Sequence, residues 1–219
     1  NQYQLDKEKF KDFYFQLSND QLLSNVFRQH NVVMGISPAY NIQEKVKPLK
    51  QRVRYTVEKK GNINTSSYFH YPKSIHSLNI LEQNARGIGN LGYIPEKDGV
   101  VRKTPMMIKI EQTMWPSLEL EMIRTALNQK KYYLTEKYMQ GHFVSTGDYS
   151  IPTDQQSQKW IYYKDPLPQQ FISAADVLDD TFNAQFIQNK IVYIGATAVG
   201  LSDIVATPRS PAIAGVEVR

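Results

Sequence analysis

Side chains able to do covalent or metal chemistry are few in this sequence, and they are scattered. Cysteine is absent from all 219 residues, which removes disulfides, thiolate metal ligands and the thiol nucleophile together. The histidines are His30, His70, His76 and His142. They form neither an HExxH pattern nor an i,i+4 pair that could close a metal site. No GxSxG elbow marks a serine nucleophile. Asp179 and Asp180 adjoin, but adjacent residues on a helix point apart and face solvent. The sequence makes no case for an enzyme and implies no metal and no cofactor.

Two glycine-rich stretches imitate nucleotide loops and fail on context. GIGNLG (87–92) matches the dinucleotide fingerprint letter for letter. That fingerprint needs a strand before it and a helix N-terminus aimed at the pyrophosphate. Here the spacing predicts a helix before it, and Pro95 with the Asp98-Gly99 turn follows. GATAVGLSD (195–203) follows a predicted strand but lacks the Lys-Ser/Thr that reaches phosphate and magnesium. It reads as a tight strand exit whose backbone N–H groups could hold an anion weakly.

Charge is local. Twenty-six basic against 21 acidic residues give +5, and residues 45–60 hold seven of the basic ones against Glu58 alone. Within that run Val53, Tyr55 and Val57 alternate with polar residues, the period of a half-exposed strand. The reading is a charged edge strand protected from aggregation, with an anionic partner such as lipid headgroups as the functional alternative. No stacking platform or DNA-reading helix accompanies it, so nucleic acid is not an expected partner. No apolar stretch reaches the roughly 18 residues of a membrane span.

The elements expected to carry these residues alternate. A helix is predicted near 20–30, capped by Asn19 or Asp20, with Leu22, Leu23, Val26 and Phe27 facing inward. A buried strand follows at 32–37, ended by Pro38. Ser74 caps a short helix over 75–84 with Ile75, Leu78 and Leu81 inward. Asp98-Gly99 makes a type I′ hairpin turn between Leu91–Ile94 and Val100–Ile110. Pro116 starts a helix, PSLELEMIRTAL, with Glu119 and Glu121 in its first turn, where the dipole favours them. A polar hairpin or loop covers 141–159, and WIYY (160–163) forms a strand stopped by Asp165-Pro166. Ser173 caps a helix over AADVLD, and another short helix covers 183–188. KIVYIG (190–195) is the clearest buried strand, and GVEV (215–218) is the last. The class is α/β (α+β): a mixed β-sheet flanked by helices, in a single domain.

One ordered series of motifs is more specific than any of these: GYIPEKDGVVRKTPMM (92–107), WPSLELEMI (115–123), WIYYKDP (160–166), FISAADVL (171–178), KIVYIGATAVGLSDIVATP (190–208) and GVEV (215–218). Across about residues 19–219 the chain resembles the cyclase/histidine-kinase-associated sensory extracellular domain, type two. The resemblance implies a bacterial sensory input domain held outside the cytoplasmic membrane. Transmembrane helices and a cytoplasmic output would follow it: a class III nucleotide cyclase, a histidine kinase or a Ser/Thr kinase. The chain starts in polar sequence at Asn1 and stops at Arg219 directly after GVEV, and it reads as a piece of something longer. The family carries an N-terminal strand–helix–strand portion ahead of the segment 17–37, for which no counterpart is found here. The position after GVEV, often His-Ala in relatives, is Arg219.

The expected function is therefore a non-catalytic sensor. A small-molecule or envelope stimulus would bias a bistable arrangement, in a homodimer tethered to the membrane. Its ligand site is expected at Asp98, Arg102, Thr197, Asp203 and Thr207, where the hairpin meets the loop after 190–195. Arg102 could hold a carboxylate bidentately, and Asp203 is its expected partner, as a ligand-reading group or as an Arg–Asp clamp. Asp176 is expected on a short solvent-facing helix or as a local cap. The alternative is a dimerisation or structural module that binds no small molecule, built on an apolar patch at Val216 and Val218.

Overall fold

The computed structural model describes residues 18–41, 54–164, 170–197 and 203–218. Val53, most of the basic run, the Asp165-Pro166 stop and residues 198–202 lie outside the described residues. The chain divides into two compact units. The first comprises residues 1–94 and 104–159, and the second residues 95–103 and 160–219. Mixed sheets and helices put it in the α/β class, as expected.

In the first unit, Ser18 rather than Asn19 or Asp20 caps α1 (Asn19–Gln29), its Oγ accepting the Gln21 N–H. Of the four residues expected to face inward only Phe27 is half-buried, and the other three are exposed. Leu22 is 57% exposed, and Leu23 and Val26 lie outward with it. The buried contact is Ser24, whose hydroxyl donates to the Ile80 carbonyl at 2.8 Å and accepts from Asn84 at 2.7 Å. A polar anchor therefore sets the helix orientation, which hydrophobic periodicity cannot report.

β1 (Val33–Ala39) runs through Pro38 instead of stopping there. It pairs in parallel with residues Gly87–Asn90 over its first half and antiparallel with Lys73–Ile75 over its last three residues. Pro38 thus falls where one side of the strand is free of partners, and its missing N–H breaks no ladder. β2 (Thr56–Lys60) is the charged edge strand expected from the sequence, paired in parallel with Lys131–Lys137. Two short strands follow, β3 (His70–Tyr71) and β4 (Lys73–Ile75).

The helix expected over 75–84 is only α2 (Asn79–Asn84), and Ser74 lies in β4 instead of capping it. Leu81 is buried, but Ile75 and Leu78 are exposed. β5 (Gly87–Asn90) makes the GIGNLG segment a strand. A Cβ on Gly89 would lie 2.5 Å from the Leu118 Cα, so these glycines serve helix-to-strand packing and not a pyrophosphate.

β6 (Lys103–Pro105) leads to β7 (Met107–Ile110) and β8 (Thr113–Pro116), an antiparallel pair. Pro116 closes β8, and Ser117 caps α3 (Leu118–Ala126) by accepting the Leu120 N–H. Then come β9 (Lys131–Lys137), β10 (Gly141–Thr146) and β11 (Tyr149–Thr153), a meander in which the polar stretch after 141 is a hairpin. Two apolar clusters fill this unit. One gathers Tyr55, Met107, Leu120, Tyr132, Leu134 and Val144, the other Ile36, Ile108, Ile110 and Trp115.

The chain passes between units after Ile94, within β6 and within β12 (Gln158–Trp160), and WIYY contributes only Trp160 to a strand. The second unit holds α4 (Ala174–Leu178), capped by Ser173 as expected, with Asp176 exposed on it. The helix expected at 183–188 is a single 3-10 turn over Ala184–Phe186. β13 (Ile204–Val205) and β14 (Ile213–Ala214) form a short antiparallel pair. KIVYIG is not a buried strand: Ile191 and Val192 are exposed, and Ile194 is 98% exposed. GVEV is a 3-10 turn in place of the last strand.

Candidate functional site

The residues expected to form the site all fall in the second unit, and its hairpin supplies the geometry. The Glu96 carbonyl accepts the Gly99 N–H at 2.9 Å, and the Glu96 N–H donates to the Val100 carbonyl at 3.0 Å. Gly99 alone in this turn takes a positive φ, +81°. The result is a three-residue loop ending in a left-handed glycine instead of the type I′ turn expected.

Arg102 closes back on that loop. One terminal nitrogen donates to Glu96 Oε2 at 2.7 Å and Asp98 Oδ1 at 3.0 Å, and the other to Asp98 Oδ2 at 2.8 Å. Asp98 Oδ1 also accepts the Val100 N–H at 3.0 Å. The Arg102 hydrogen bonds, followed by that backbone N–H, hold the Asp98 carboxyl down at about 2. The same Asp98 hydrogen bonds push the guanidinium up.

The carboxylates of the clamp thus come from the turn itself and not from Asp203. Closing a four-residue loop costs far less chain entropy than reaching across a hundred residues, so the local pair wins. Asp203 instead accepts the Gly215 N–H on its carbonyl at 2.8 Å, and its carboxylate packs against Gly215.

Backbone bonds tie the hairpin to the rest of the unit. Val101, fully buried, donates its N–H to the Ala206 carbonyl at 2.9 Å, one residue before Thr207. Its carbonyl accepts the Tyr163 hydroxyl at 2.9 Å, and the Arg102 carbonyl accepts the Ile161 N–H at 2.9 Å. Thr207 is buried and closes its own loop on Ser210 through side chain and backbone. Thr197 is exposed. The structure therefore brings Asp98, Arg102 and the Ala206–Thr207 step together, and it separates Arg102 from Asp203 as an ion pair.

This arrangement is a clamp and a scaffold. Both terminal nitrogens of Arg102 are engaged by carboxylates of its own loop. Among the described residues no acid, base or nucleophile is set up around it.

The first-unit polar networks were not visible in the sequence. Glu121 is fully buried in α3, with its carboxylate gripped by Arg124 at 2.6 and 2.8 Å. It also accepts the Tyr132 hydroxyl at 2.5 Å. Burial, then the Glu121 charge, push the Tyr132 phenol up, so it stays a donor. The i,i+3 spacing of Glu121 and Arg124 in the LELEMIRTA helix was the available signal. A second network joins Ser74 of β4, His76 in the link that follows it and Glu82 of α2, with no regular spacing to announce it.

The family model of the CHASE2 domain matches residues 3–219. The chain belongs to the CHASE2 family. The match takes in the segment ahead of residue 19, where the resemblance read from the sequence begins. CHASE2 domains are sensory, non-catalytic modules of signalling proteins. No curated protein and no solved structure matches this CHASE2 chain. Among its described residues no helix is long and apolar enough to cross a membrane.

Proposed function

We propose that this CHASE2 chain is the extracytoplasmic input domain of a bacterial transmembrane signalling protein. Its cytoplasmic output is a class III nucleotide cyclase, a histidine kinase or a Ser/Thr kinase. The family match across residues 3–219 carries the reading. A small-molecule or envelope stimulus acts at the Asp98, Arg102, Thr197, Asp203 and Thr207 end of the second unit. It shifts a homodimer between two arrangements through its differential affinity for them. In this reading Arg102 and Asp98 hold the hairpin in place, and exposed Thr197 and Asp203 are the groups that meet the ligand.

Two experiments test it. A reporter enzyme active only outside the cytoplasm, fused within the parent protein next to this chain, is active under the proposal; an inactive reporter sinks the placement. Thermal unfolding against anions, metabolites, osmolytes and envelope fragments tests the ligand. At about 100 times Kd a specific ligand adds roughly 2.7 kcal/mol, or roughly 5–10 °C for a chain of this size. Asp203→Ala removes that shift, and a flat panel overturns the ligand-binding half.

A second reading, a dimerisation module, is favoured by apolar exposure in the second unit. The patch expected at Val216 and Val218 is not there, because Val218 is buried and Val216 half-buried. Leu178, Ile191 and Ile194 are exposed instead.

A further inference from the structure

The network of Ser74, His76 and Glu82 has the connectivity of an activated hydroxyl. The Glu82 carboxylate lies 3.0 and 3.1 Å from His76 Nδ1, and its Oε1 also accepts the Ser77 N–H at 2.9 Å. A carboxylate can only accept, so Nδ1 carries the proton and the ring is fixed in that tautomer. When the ring is neutral, Nε2 is then an acceptor, and Ser74 Oγ lies 2.8 Å from it. The hydroxyl proton therefore points at a base that a carboxylate orients, the arrangement by which a weak hydroxyl becomes a nucleophile.

Two further observations fit such a site. β4 is an edge strand of its sheet, and side chains alternate along it, so Ser74, only 8% exposed, turns to the face opposite exposed Lys73 and Ile75, where it meets His76. The Trp115 ring packs edge-on to the imidazole at 6.3 Å between centroids. Its indole N–H is buried with no hydrogen-bond partner, an orphan donor next to the base.

We propose that Ser74 is an acyl-acceptor site that captures an activated acyl ester, with His76 as its base and Glu82 as the residue that positions His76. Ser74 Oγ bonds to the acyl carbon as the bond to the leaving alkoxide or phenolate breaks. The hydroxyl proton passes to His76 Nε2 and on to the leaving group. Capture is stoichiometric, one ester per chain, which suits a receptor rather than a turnover enzyme. The inference names an electrophilic acyl donor as a stimulus class, and it rests on the sensory reading only for that consequence.

The intact chain is treated with a fluorophosphonate and, separately, with p-nitrophenyl acetate, and the adducts are mapped by peptide mass spectrometry. One adduct per chain is expected, on Ser74, with a matching burst of p-nitrophenolate. Ser74→Ala gives none. His76→Gln slows the burst by about 100-fold or more, and Glu82→Gln by about 10-fold or more. Ser77→Ala changes nothing, since Ser77 contributes only its backbone N–H. If Ser74→Ala fails to fold, the wild-type map and the His76→Gln rate still decide. A folded wild-type chain with no adduct at Ser74, or an adduct forming as fast in His76→Gln, overturns the site. An adduct that forms and leaves the parent's output unchanged overturns the stimulus role alone.

Discussion

Arg102 is held by two carboxylates from a loop only a few residues long, and that locality makes its contribution dependent on acid. The folded Asp98 carboxyl sits at about 2, below the 3.8 of an unperturbed side chain. Its contribution to stability is therefore present above about pH 4 and disappears as the pH falls from 4 towards 2. Asp98→Asn should lower the melting temperature slightly at pH 6, and the difference from wild type should vanish near pH 2 in paired thermal melts. An Asp98→Asn gap that persists at pH 2 would mean that packing, not charge, holds the turn. The buried Glu121–Arg124 pair behaves differently, because removing one partner strands the other in the core. Arg124→Met alone should cost about 3–5 kcal/mol in urea unfolding, and adding Glu121→Leu should restore much of it. The turn at Asp98-Gly99 was legible because its chemistry is local and glycine is required at a positive φ. The partner of Arg102 was misassigned: the place of Asp203 after the 195–200 loop suggested it, although the four-residue spacing of Asp98 and Arg102, with its small closure entropy, was the signal the sequence held.

The elements that the sequence announced well are those whose signal is covalent or short-range. The β10–β11 hairpin, the Ser173 cap and the charged edge of β2 all follow from neighbouring residues. Elements that depend on long-range partners were misread. α1 turns Leu22, Leu23 and Val26 outward because Ser24 bonds to Ile80 and Asn84 on α2. KIVYIG has the composition of a core strand, but a strand also needs a neighbouring ladder, and no apolar pattern can guarantee one. The glycines of GIGNLG show the same limit from the other side: the pattern of a nucleotide loop is reproduced by the steric needs of β5 against α3. Gly89→Ala should cost about 1–3 kcal/mol by forcing Leu118 backbone and strand apart. Chemical denaturation reads this directly, and a neutral result would mean that the helix can yield without loss.

At the scale of the molecule, the second unit leaves Leu178, Ile191 and Ile194 in solvent, with Ile194 almost fully bare. The dimer reading makes these residues one self-association patch. Light scattering coupled to size exclusion should find a dimer at tens of micromolar. Ile194→Lys with Leu178→Lys should return it to monomer without altering the melting of the first unit. A chain that stays monomeric at every concentration would remove these residues as the interface.

The second unit is also discontinuous in sequence, since it is assembled from residues 95–103 and residues 160–219. A ribosome delivers these parts far apart in time. Val101 emerges roughly a hundred residues before Ala206, the carbonyl its N–H must meet, which at about 5–20 residues per second is a wait of roughly 5–20 s. Until Ile161 and Tyr163 emerge, roughly sixty residues after Val101, the nascent hairpin has only its own contacts within this unit. The Glu96–Asp98–Arg102 clamp is complete as soon as residue 102 is made, so the turn can hold its shape as a finished part waiting for the rest of its fold.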